Sequence, residues 1–225
     1  RTTAGGGAVV AGSKPVRRFA LPVALLAAVG LVVGVVVTRD DGGTQTVAAA
    51  PTPTPKPKCS TADGRFVPTG VTIPKVGKNI NVMALPRDAN GVPGTPPLTG
   101  GGKMAMAFDL GQGIRPGDSR GNALLNAHTY PDGSALGNKL LDGLQEGDQI
   151  RVHGPKGYLC YEVTDRREVA AGVYKPYFAK KGKPQIAIVV CSGQRLGPGL
   201  WTKRTIWFAS PVDAEPTSVV SAQAS

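Results

Sequence analysis

An uninterrupted apolar run constrains this chain more than any other feature of its sequence. The run FALPVALLAAVGLVVGVVV occupies residues 19–37 and contains no charged or polar side chain. As a helix it would span roughly 28 Å, close to the hydrocarbon thickness of a bilayer. A helix on the surface of a soluble domain keeps a polar face, and this run has none. The sequence therefore predicts a single transmembrane signal-anchor helix over residues 19–37.

The charges beside the run predict its orientation. Residues 39–41, which come after it, are one arginine and two aspartates. Four basic residues precede it: Arg1, Lys14, Arg17 and Arg18. The positive-inside rule places residues 1–18 in the cytoplasm as a tail and everything after the helix outside the cell. We therefore expect a single-pass protein of the cell membrane with an extracellular C-terminal domain. A cleaved signal peptide is the alternative, because the alanines at 48–50 offer a small-residue cleavage site.

The remainder divides into a linker, a domain and a tail. Residues 38–66 are rich in Pro and Thr, and the alternating TPTPKPK favours an extended polyproline II spacer. Residues 67–212 are enough for one hydrophobic core, and the small polar residues 213–225 predict a flexible tail.

The net charge of +11 would suit a nucleic-acid binder. Because an extracellular domain does not meet nucleic acid, we expect no such partner.

Within residues 67–212, segments with the residue pattern of β-strands are separated by Gly, Pro and Asn residues, which are typical of turns. The segments are Gly70–Ile73, Ile80–Leu85, Met104–Phe108, Ala123–Ala127, Asp148–His153, Gly157–Thr164, Gln185–Cys191 and Arg204–Ala209. Helical periodicity is confined to Ser134–Leu144, where four leucines share one face, and a second short helix is expected near Tyr174–Lys180. The pattern predicts an all-β closed barrel of about eight strands with one or two short helices.

One cysteine and one histidine lie at the ends of strand-like segments, where catalytic residues are often found. Gln185–Val190 is apolar on both faces, as a central strand should be, and it ends at Cys191 before a polar loop. His128 ends another strand-like segment and enters a turn. A cysteine nucleophile reacts as its thiolate, which an adjacent histidine supplies or stabilises. The residues alone leave a core cysteine and a surface histidine as the alternative. The other histidine, His153, alternates with apolar residues and is predicted to face solvent.

Five segments, in this order and spacing, resemble the sortase family. Val71–Gly77 (VTIPKVG) is similar to the opening I-x-I-P-K-I-G strand, and Asn122–His128 to the strand that carries the catalytic histidine. Leu141–Val163 is similar to the family's L-x-x-L-x-x-G-D-x-I-x-V stretch and its continuation through a glycine to Y-x-V. Ala187–Cys191 stands where sortases carry T-L-x-T-C, and Arg204 comes after it at the spacing of the catalytic arginine. The sequences of these segments look most like those of actinobacterial housekeeping-type or class F sortases.

The resemblance implies a membrane-anchored cysteine transpeptidase. Cys191 would attack the threonine carbonyl of an LPXTG-like sorting signal, break the Thr–Gly bond and form a thioester. The protein would then pass to the amine of a peptidoglycan precursor. His128 would serve as general acid and base, and Arg204 would stabilise the oxyanion or align the substrate. No metal or other cofactor is implied. Both threonines of T-L-x-T-C are replaced here, by Ala187 and Val190, which questions the local support of the nucleophile.

Apolar side chains are expected to hold the Leu and Pro of the sorting signal. The stretch before the cysteine strand is predicted to lie over a substrate groove, and a loop over residues 192–203 to border it. The substrate-binding candidates are Val169, Val173, Tyr174, Ile188, Ser192 and Trp201. The alternative is that these residues pack the core.

Two other functions and one covalent link stay open from the sequence alone. The chain could be an exported β-barrel binding module without activity. It could also be an L,D-transpeptidase-like cross-linker of the cell wall, although that family places its cysteine after a Ser-x-Gly motif and Cys191 precedes Ser192. In an exported chain, Cys59 and Cys160 could pair as a disulfide and leave Cys191 free.

Overall fold

The computed structural model of the protein describes residues 58–213. The predicted cytoplasmic tail, the transmembrane helix, the linker up to residue 57 and the tail from residue 214 lie outside the described residues. Within residues 58–213, no helix combines the length and the apolar composition needed to cross a bilayer.

Eight strands close into a barrel, and one α-helix, α1 (Leu136–Gly143), is inserted between the fourth and fifth strands. The strands are β1 (Gly70–Ile73), β2 (Gly77–Leu85), β3 (Met106–Asp109), β4 (Asn122–Ala127), β5 (Gln149–Gly154), β6 (Gly157–Ala170), β7 (Gln185–Gly197) and β8 (Leu200–Pro211). Around the barrel their order is β1-β2-β3-β4-β7-β8-β6-β5. The closed eight-stranded barrel predicted from the sequence is thus confirmed. The second predicted helix is a single 3-10 turn, Lys175–Phe178.

The barrel mixes parallel and antiparallel pairs. The pairs β2–β3 and β4–β7 are parallel, and the other neighbours are antiparallel. Strand-like patterns in a sequence carry no information on direction, so the parallel pairs could not be predicted. The β4–β7 pair matters most, because parallel strands end at the same edge of a sheet. His128 and Cys191 come directly after the last paired residues of β4 and β7, so both lie at that edge.

The strands β6, β7 and β8 extend well beyond the bounds that the sequence predicts. β6 continues to Ala170, and the predicted loop over residues 192–203 is instead a β-hairpin formed by the end of β7 and the start of β8. Arg195 lies opposite Trp201 in this hairpin. Apolar and polar residues do not alternate in these extensions, so the sequence pattern predicted that the strands end earlier. Backbone pairing continues them, and most of their side chains are polar, although Leu196 and Leu200 in the hairpin are exposed.

Alternation along the strands divides the apolar residues into two clusters. In β7, Ile186, Ile188 and Val190 point into the barrel and join its inner core, together with leucines of α1. The intervening Ala187 points outward and packs in a smaller cluster with Leu124, Tyr177, Ile206 and Phe208. Tyr177 brings the segment 171–180 into this outer cluster, and Tyr177 and Ile206 also line the site described below.

A disulfide fastens the start of the domain to β6. Cys59 and Cys160 are bonded, with their Cα atoms 6.0 Å apart. The Asp213 carboxylate accepts hydrogen bonds from the backbone N–H groups of Cys59 (2.8 Å) and Ser60 (2.7 Å). The Ser60 hydroxyl accepts one from the Cys160 N–H (2.9 Å). Both ends of the described chain are therefore held at one place on the barrel.

Candidate active site

Three adjacent strands bring His128, Cys191 and Arg204 into one row. Ala127 of β4 lies beside Val190 of β7 in parallel register, so the next residues, His128 and Cys191, are at the same level. Across the antiparallel β7–β8 pair, Cys191 lies directly opposite Arg204. Outward-facing positions on neighbouring strands form a continuous strip of surface. The three residues that the sequence singled out, up to 76 positions apart, therefore share one side of the barrel.

A cleft of about 280 Å³ lies along this row and takes in all three side chains. One wall comes from the loop between β2 and β3, and the other from the segment between β6 and β7. The lining is mainly apolar. It consists of Val92, Pro93, Thr95, Asn126, Ala127, His128, Gly172, Tyr174, Tyr177, Phe178, Val189, Val190, Cys191, Arg204 and Ile206.

The thiol of Cys191 is half-buried and unpaired. Burial raises the pKa of Cys191, and the positive charge of Arg204 acts in the opposite direction without cancelling the effect. The Thr129 hydroxyl donates a hydrogen bond to the Cys191 carbonyl oxygen at 2.7 Å. Thr129, two residues after the end of β4, thus supports the backbone of the cysteine, whereas the residue directly before the cysteine is Val190. The sequence did not single out Thr129, because a threonine after a strand carries no signal of its own.

Arg204 presents its guanidinium group at the edge of the cleft. One of its nitrogens, Nη1, donates to the carbonyl oxygens of Lys203 (2.8 Å) and Trp201 (3.4 Å). No carboxylate within residues 58–213 forms an ion pair with it. Its positive charge is therefore held in place by neutral carbonyl groups and is not neutralised by the part of the chain that the structure describes.

The two histidines differ sharply in position. His128 is half-buried, and its Nε2 is 2.5 Å from the carbonyl oxygen of Pro96 in the β2–β3 loop. His153 lies on β5, which has no pairing with β4, β7 or β8, and its Nε2 is 2.9 Å from the Thr72 hydroxyl. His153 is also half-buried, so the prediction that it faces solvent is only partly right. Burial lowers the pKa of His153, and the nearby Arg151 adds to that shift.

Hydrogen bonds from β4 hold the wall that lies between β6 and β7. The side chain of Asn122 donates to the carbonyl oxygens of Pro176 (2.9 Å) and Tyr177 (3.0 Å). The hydroxyl of Tyr177 donates in turn to the carbonyl oxygen of Leu125 (3.0 Å), and its burial raises the pKa of Tyr177 far above its usual range. The wall is thereby attached to β4 through the two central residues of the 3-10 turn, which limits the movement of the neighbouring Tyr174.

An ion pair between a half-buried arginine and a buried aspartate also supports this wall. The guanidinium of Arg87 binds both carboxylate oxygens of Asp109 at 2.7–3.1 Å, and Asp109 is 1% exposed. Arg87 also donates to the side-chain oxygen of Gln112 (3.0 Å). The amide of Gln112 donates onward to the carbonyl oxygens of Phe178 (3.2 Å) and Ala179 (3.4 Å). This group joins the ends of β2 and β3 to the cleft wall.

The group formed by Arg87, Asp109 and Gln112 was not predicted from the sequence. Arg87 follows the end of β2, Asp109 is the last residue of β3 and Gln112 ends the 3-10 turn after it. Charged and amide residues at the ends of strands and in turns are ordinarily exposed. The one available signal was Asp109, an acidic residue directly after the apolar segment Met106–Phe108. A single sequence does not show that its partner lies 22 positions earlier in the chain.

Of the six predicted substrate-binding residues, only Tyr174 lines the cleft. Ile188 and Ser192 lie outside the lining: they are 0% and 3% exposed because the two-residue period of β7 turns them into the barrel. Their outward neighbours Val189 and Cys191 line the cleft instead.

The other three candidates also lie away from the lining. Val169 packs against the outer cluster, as a result of the unpredicted extension of β6. Val173 is 83% exposed at the tip of its segment. Trp201 belongs to the β7–β8 hairpin, opposite Arg195. The wall contributed by Val92, Pro93 and Thr95 was not predicted, because that loop has no motif of its own.

Comparisons with known proteins place this geometry in a family. A family model described as a sortase domain matches residues 71–212. A comparison with curated proteins found no significant match. Among solved structures, the chain is similar to sortase C1 from Streptococcus suis, with 19% identity over 68% of this chain and 76% of that one, and a TM-score of 0.48.

Two further solved structures are similar at the same level. Sortase A from Listeria monocytogenes is 16% identical over 65% of this chain and 88% of that one, with a TM-score of 0.46. Sortase C from Clostridium perfringens SM101 is 19% identical over 66% of this chain and 71% of that one, with a TM-score of 0.47. Because the family model covers more than half of the sequence and includes His128, Cys191 and Arg204, the chain belongs to the sortase family of cysteine transpeptidases.

Proposed function

We propose that the protein cleaves an LPXTG-like sorting signal between Thr and Gly and transfers the resulting acyl group to the amine of a peptidoglycan precursor. The observation that carries this proposal is the row formed by His128, Cys191 and Arg204 along one apolar cleft. A nucleophile, an acid–base group and a cation lie side by side where a peptide could bind. Acyl transfer through a thioester needs these three functions.

In the first half of the reaction, the Cys191 thiolate adds to the threonine carbonyl carbon and forms a tetrahedral intermediate. The carbon–nitrogen bond then breaks, and protonated His128 gives its proton to the departing glycine amine. The product is a thioester between Cys191 and the threonine acyl group. Arg204 is paired with Cys191 across β7 and β8 and lines the same cleft, and in the proposed mechanism its guanidinium donates to the oxyanion while the carbonyl carbon is tetrahedral.

In the second half, the acceptor amine attacks the thioester carbon. Neutral His128 removes a proton from that amine, the carbon–sulfur bond breaks, and the Cys191 thiolate leaves. A new amide bond joins the sorted protein to the acceptor, and His128 is protonated again for the next cycle. The apolar lining of the cleft slows the competing reaction with water, because it leaves few groups that would hold a water beside the thioester.

The cleft supports a substrate with apolar side chains. Its lining combines Tyr174 and Phe178 on one wall with Val92 and Pro93 on the other, over a floor that includes Ile206. A cavity of about 280 Å³ has room for a leucine and a proline side chain, and its polar lining includes the three side chains assigned to the chemistry. This distribution fits the Leu and Pro of an LPXTG-like signal.

The proposal includes membrane anchoring through residues 19–37, with the catalytic domain outside the cell. Its support is the apolar run and the excess of basic residues before it. The bonded pair Cys59–Cys160 fits an oxidising location outside the cytoplasm. An actinobacterial housekeeping-type or class F-like enzyme remains our expectation from the sequence motifs.

A peptide assay tests the function. The purified full chain in detergent is incubated with a quenched LPXTG-type peptide and a nucleophilic amine, and the amide product is identified by mass spectrometry. We expect turnover by the wild type and none by Cys191→Ala. Arg204→Ala tests the role of the guanidinium group in the same assay. Arg195→Ala is its control, because Arg195 is an exposed arginine of the same hairpin.

Two results would contradict the proposal. Equal turnover by Cys191→Ala and the wild type would remove Cys191 from the mechanism. A folded wild-type protein that turns over no sorting-type peptide would favour the alternative of an inactive binding module. The other alternative, an L,D-transpeptidase-like enzyme, is not supported by the family assignment.

A further inference from the structure

Three side chains on one face of β4 and its continuation contact the β2–β3 loop in a regular ladder. The donors are two residues apart along β4, and the acceptors are backbone carbonyl oxygens two residues apart along the loop. The pairs are Asn126 Nδ2 with the Gly94 oxygen (2.9 Å), His128 Nε2 with the Pro96 oxygen (2.5 Å) and the Tyr130 hydroxyl with the Leu98 oxygen (2.5 Å). The matching two-residue spacing shows that two extended segments lie side by side.

The composition of the loop explains why side chains make these contacts. The segment Val92–Leu98 reads VPGTPPL, and its three prolines have no backbone N–H. It therefore cannot complete a backbone ladder with β4. Its base is fixed separately, by the pairing of Arg87 with Pro93 and by the Asp88 carboxylate, which accepts from the N–H of Val92 (2.8 Å). The side chains of Asn126, His128 and Tyr130 instead donate to carbonyl oxygens of the loop.

The middle contact determines which nitrogen of His128 carries the proton. A carbonyl oxygen can only accept a hydrogen bond, so the Nε2 that faces Pro96 must be the donor. A neutral imidazole has one N–H, so neutral His128 is the Nε2–H tautomer and its Nδ1 holds the free lone pair. Only Nδ1 is then able to take a proton from an attacking amine.

We infer that the Pro96 carbonyl orients His128, that Asn126 and Tyr130 are positioning residues that hold this carbonyl in place, and that Nδ1 of His128 is the nitrogen that exchanges protons in the reaction. This inference rests on the proposed function for its catalytic part. It uses the general logic of a nucleophile–base pair whose base is oriented by a third group. Here the third group is a backbone carbonyl held by the two neighbouring side chains.

The hydrogen bonds of Asn126 indicate that it positions the β2–β3 loop and contributes little to the stability of the domain. Its Oδ1 is buried and has no hydrogen-bond donor within residues 58–213. An unsatisfied buried acceptor costs free energy that offsets much of what the contact with Gly94 contributes. Asn126 therefore adds little to the net stability of the domain, whereas its contact fixes the loop one step from His128.

Nuclear magnetic resonance of the imidazole nitrogens tests the inference directly. The chain has only two histidines, so His153→Gln in the ¹⁵N-histidine-labelled full chain leaves His128 as the single signal. We expect the shift pattern of an Nε2–H tautomer when the ring is neutral. In Tyr130→Phe and in Asn126→Ala, the pattern should move towards a mixture of tautomers. Tyr158→Phe is the control, since Tyr158 lies on β6 beside His153 and away from the ladder.

Kinetics add a second measurement. We expect kcat for the sorting peptide to fall about tenfold in Tyr130→Phe, as for a misaligned acid–base group, with KM within about twofold. The rate at which iodoacetamide alkylates Cys191 should stay unchanged, because the thiol itself is untouched. A thermal unfolding midpoint near that of the wild type separates positioning from loss of structure.

The possible outcomes separate this inference from the proposed function. An Nδ1–H tautomer in the wild type, or spectra of the two ladder variants identical to the wild type, would overturn the inference whether or not the enzyme turns over peptide. An Nε2–H tautomer that is lost in the variants, in a protein without peptide turnover, would support the ladder and contradict the function.

Discussion

Cys191 and Arg204 lie directly opposite one another across the antiparallel β7–β8 pair. Burial disfavours the thiolate and raises the pKa of Cys191, and the guanidinium charge partly offsets this effect. The net pKa stays above its ordinary value, so the thiolate is the minor form near neutral pH. In the proposed mechanism Arg204 therefore acts twice, on the thiolate before attack and on the oxyanion after it.

Replacing Arg204 should make the thiol harder to ionise. Arg204→Gln removes the positive charge that favours the thiolate, so the pKa of Cys191 should rise further. Because iodoacetamide reacts with the thiolate, the alkylation rate of the wild type should increase as the pH rises through this pKa. In Arg204→Gln the same increase should occur at higher pH. The matched variant Arg195→Gln should behave like the wild type, and an Arg204→Gln profile that overlays it would show that the guanidinium charge does not reach the thiol.

The amide of Gln112 should govern how tightly the sorting peptide binds. Gln112→Met keeps the size of the side chain but removes the donor to Phe178 and Ala179, which lie on one wall of the cleft. Losing these two hydrogen bonds should loosen the wall and raise KM about tenfold, with kcat changed little. Gln185→Met is the control, because Gln185 is a half-buried glutamine that bonds Ser210 outside the cleft. Equal KM values in both variants would show that the wall does not depend on Gln112.

The ion pair between Arg87 and Asp109 should contribute to stability as well as to the site. Asp109→Ala leaves the guanidinium of Arg87 without its carboxylate beneath the cleft, which should lower the free energy of unfolding by about 3 kcal/mol. The exposed pair Lys58–Asp63 provides the comparison, and Asp63→Ala should cost less than about 1 kcal/mol. Urea unfolding followed by circular dichroism measures both. A similar small loss in the two variants would mean that Asp109 is not the anchor that its burial indicates.

Local patterns in the sequence predicted most strands and the three residues of the row, because each has a signal of its own. The apolar run before Cys191 identifies a buried strand, and the family resemblance identifies His128 and Arg204. The faces of β7 were assigned less well: Ile188 was expected in the cleft because a strand that is apolar on both sides does not reveal which side is inside. The Arg87–Asp109 pair and the ladder beside His128 depend on contacts between distant segments, which no local pattern encodes.

The disulfide between Cys59 and Cys160 should stabilise the domain without taking part in the chemistry. It closes a separation of 101 residues, and removing a bridge of this kind typically costs about 2–5 kcal/mol. The double variant Cys59→Ser, Cys160→Ser should therefore unfold at lower urea concentration, while the folded variant keeps its peptide turnover. Reduction of the wild type with dithiothreitol should cause a similar loss. A thiol titration of the unfolded, unreduced wild type should give one thiol, from Cys191, and Cys191→Ala should give none. Three thiols in the wild type, or a urea midpoint insensitive to dithiothreitol, would contradict the role assigned to the bridge.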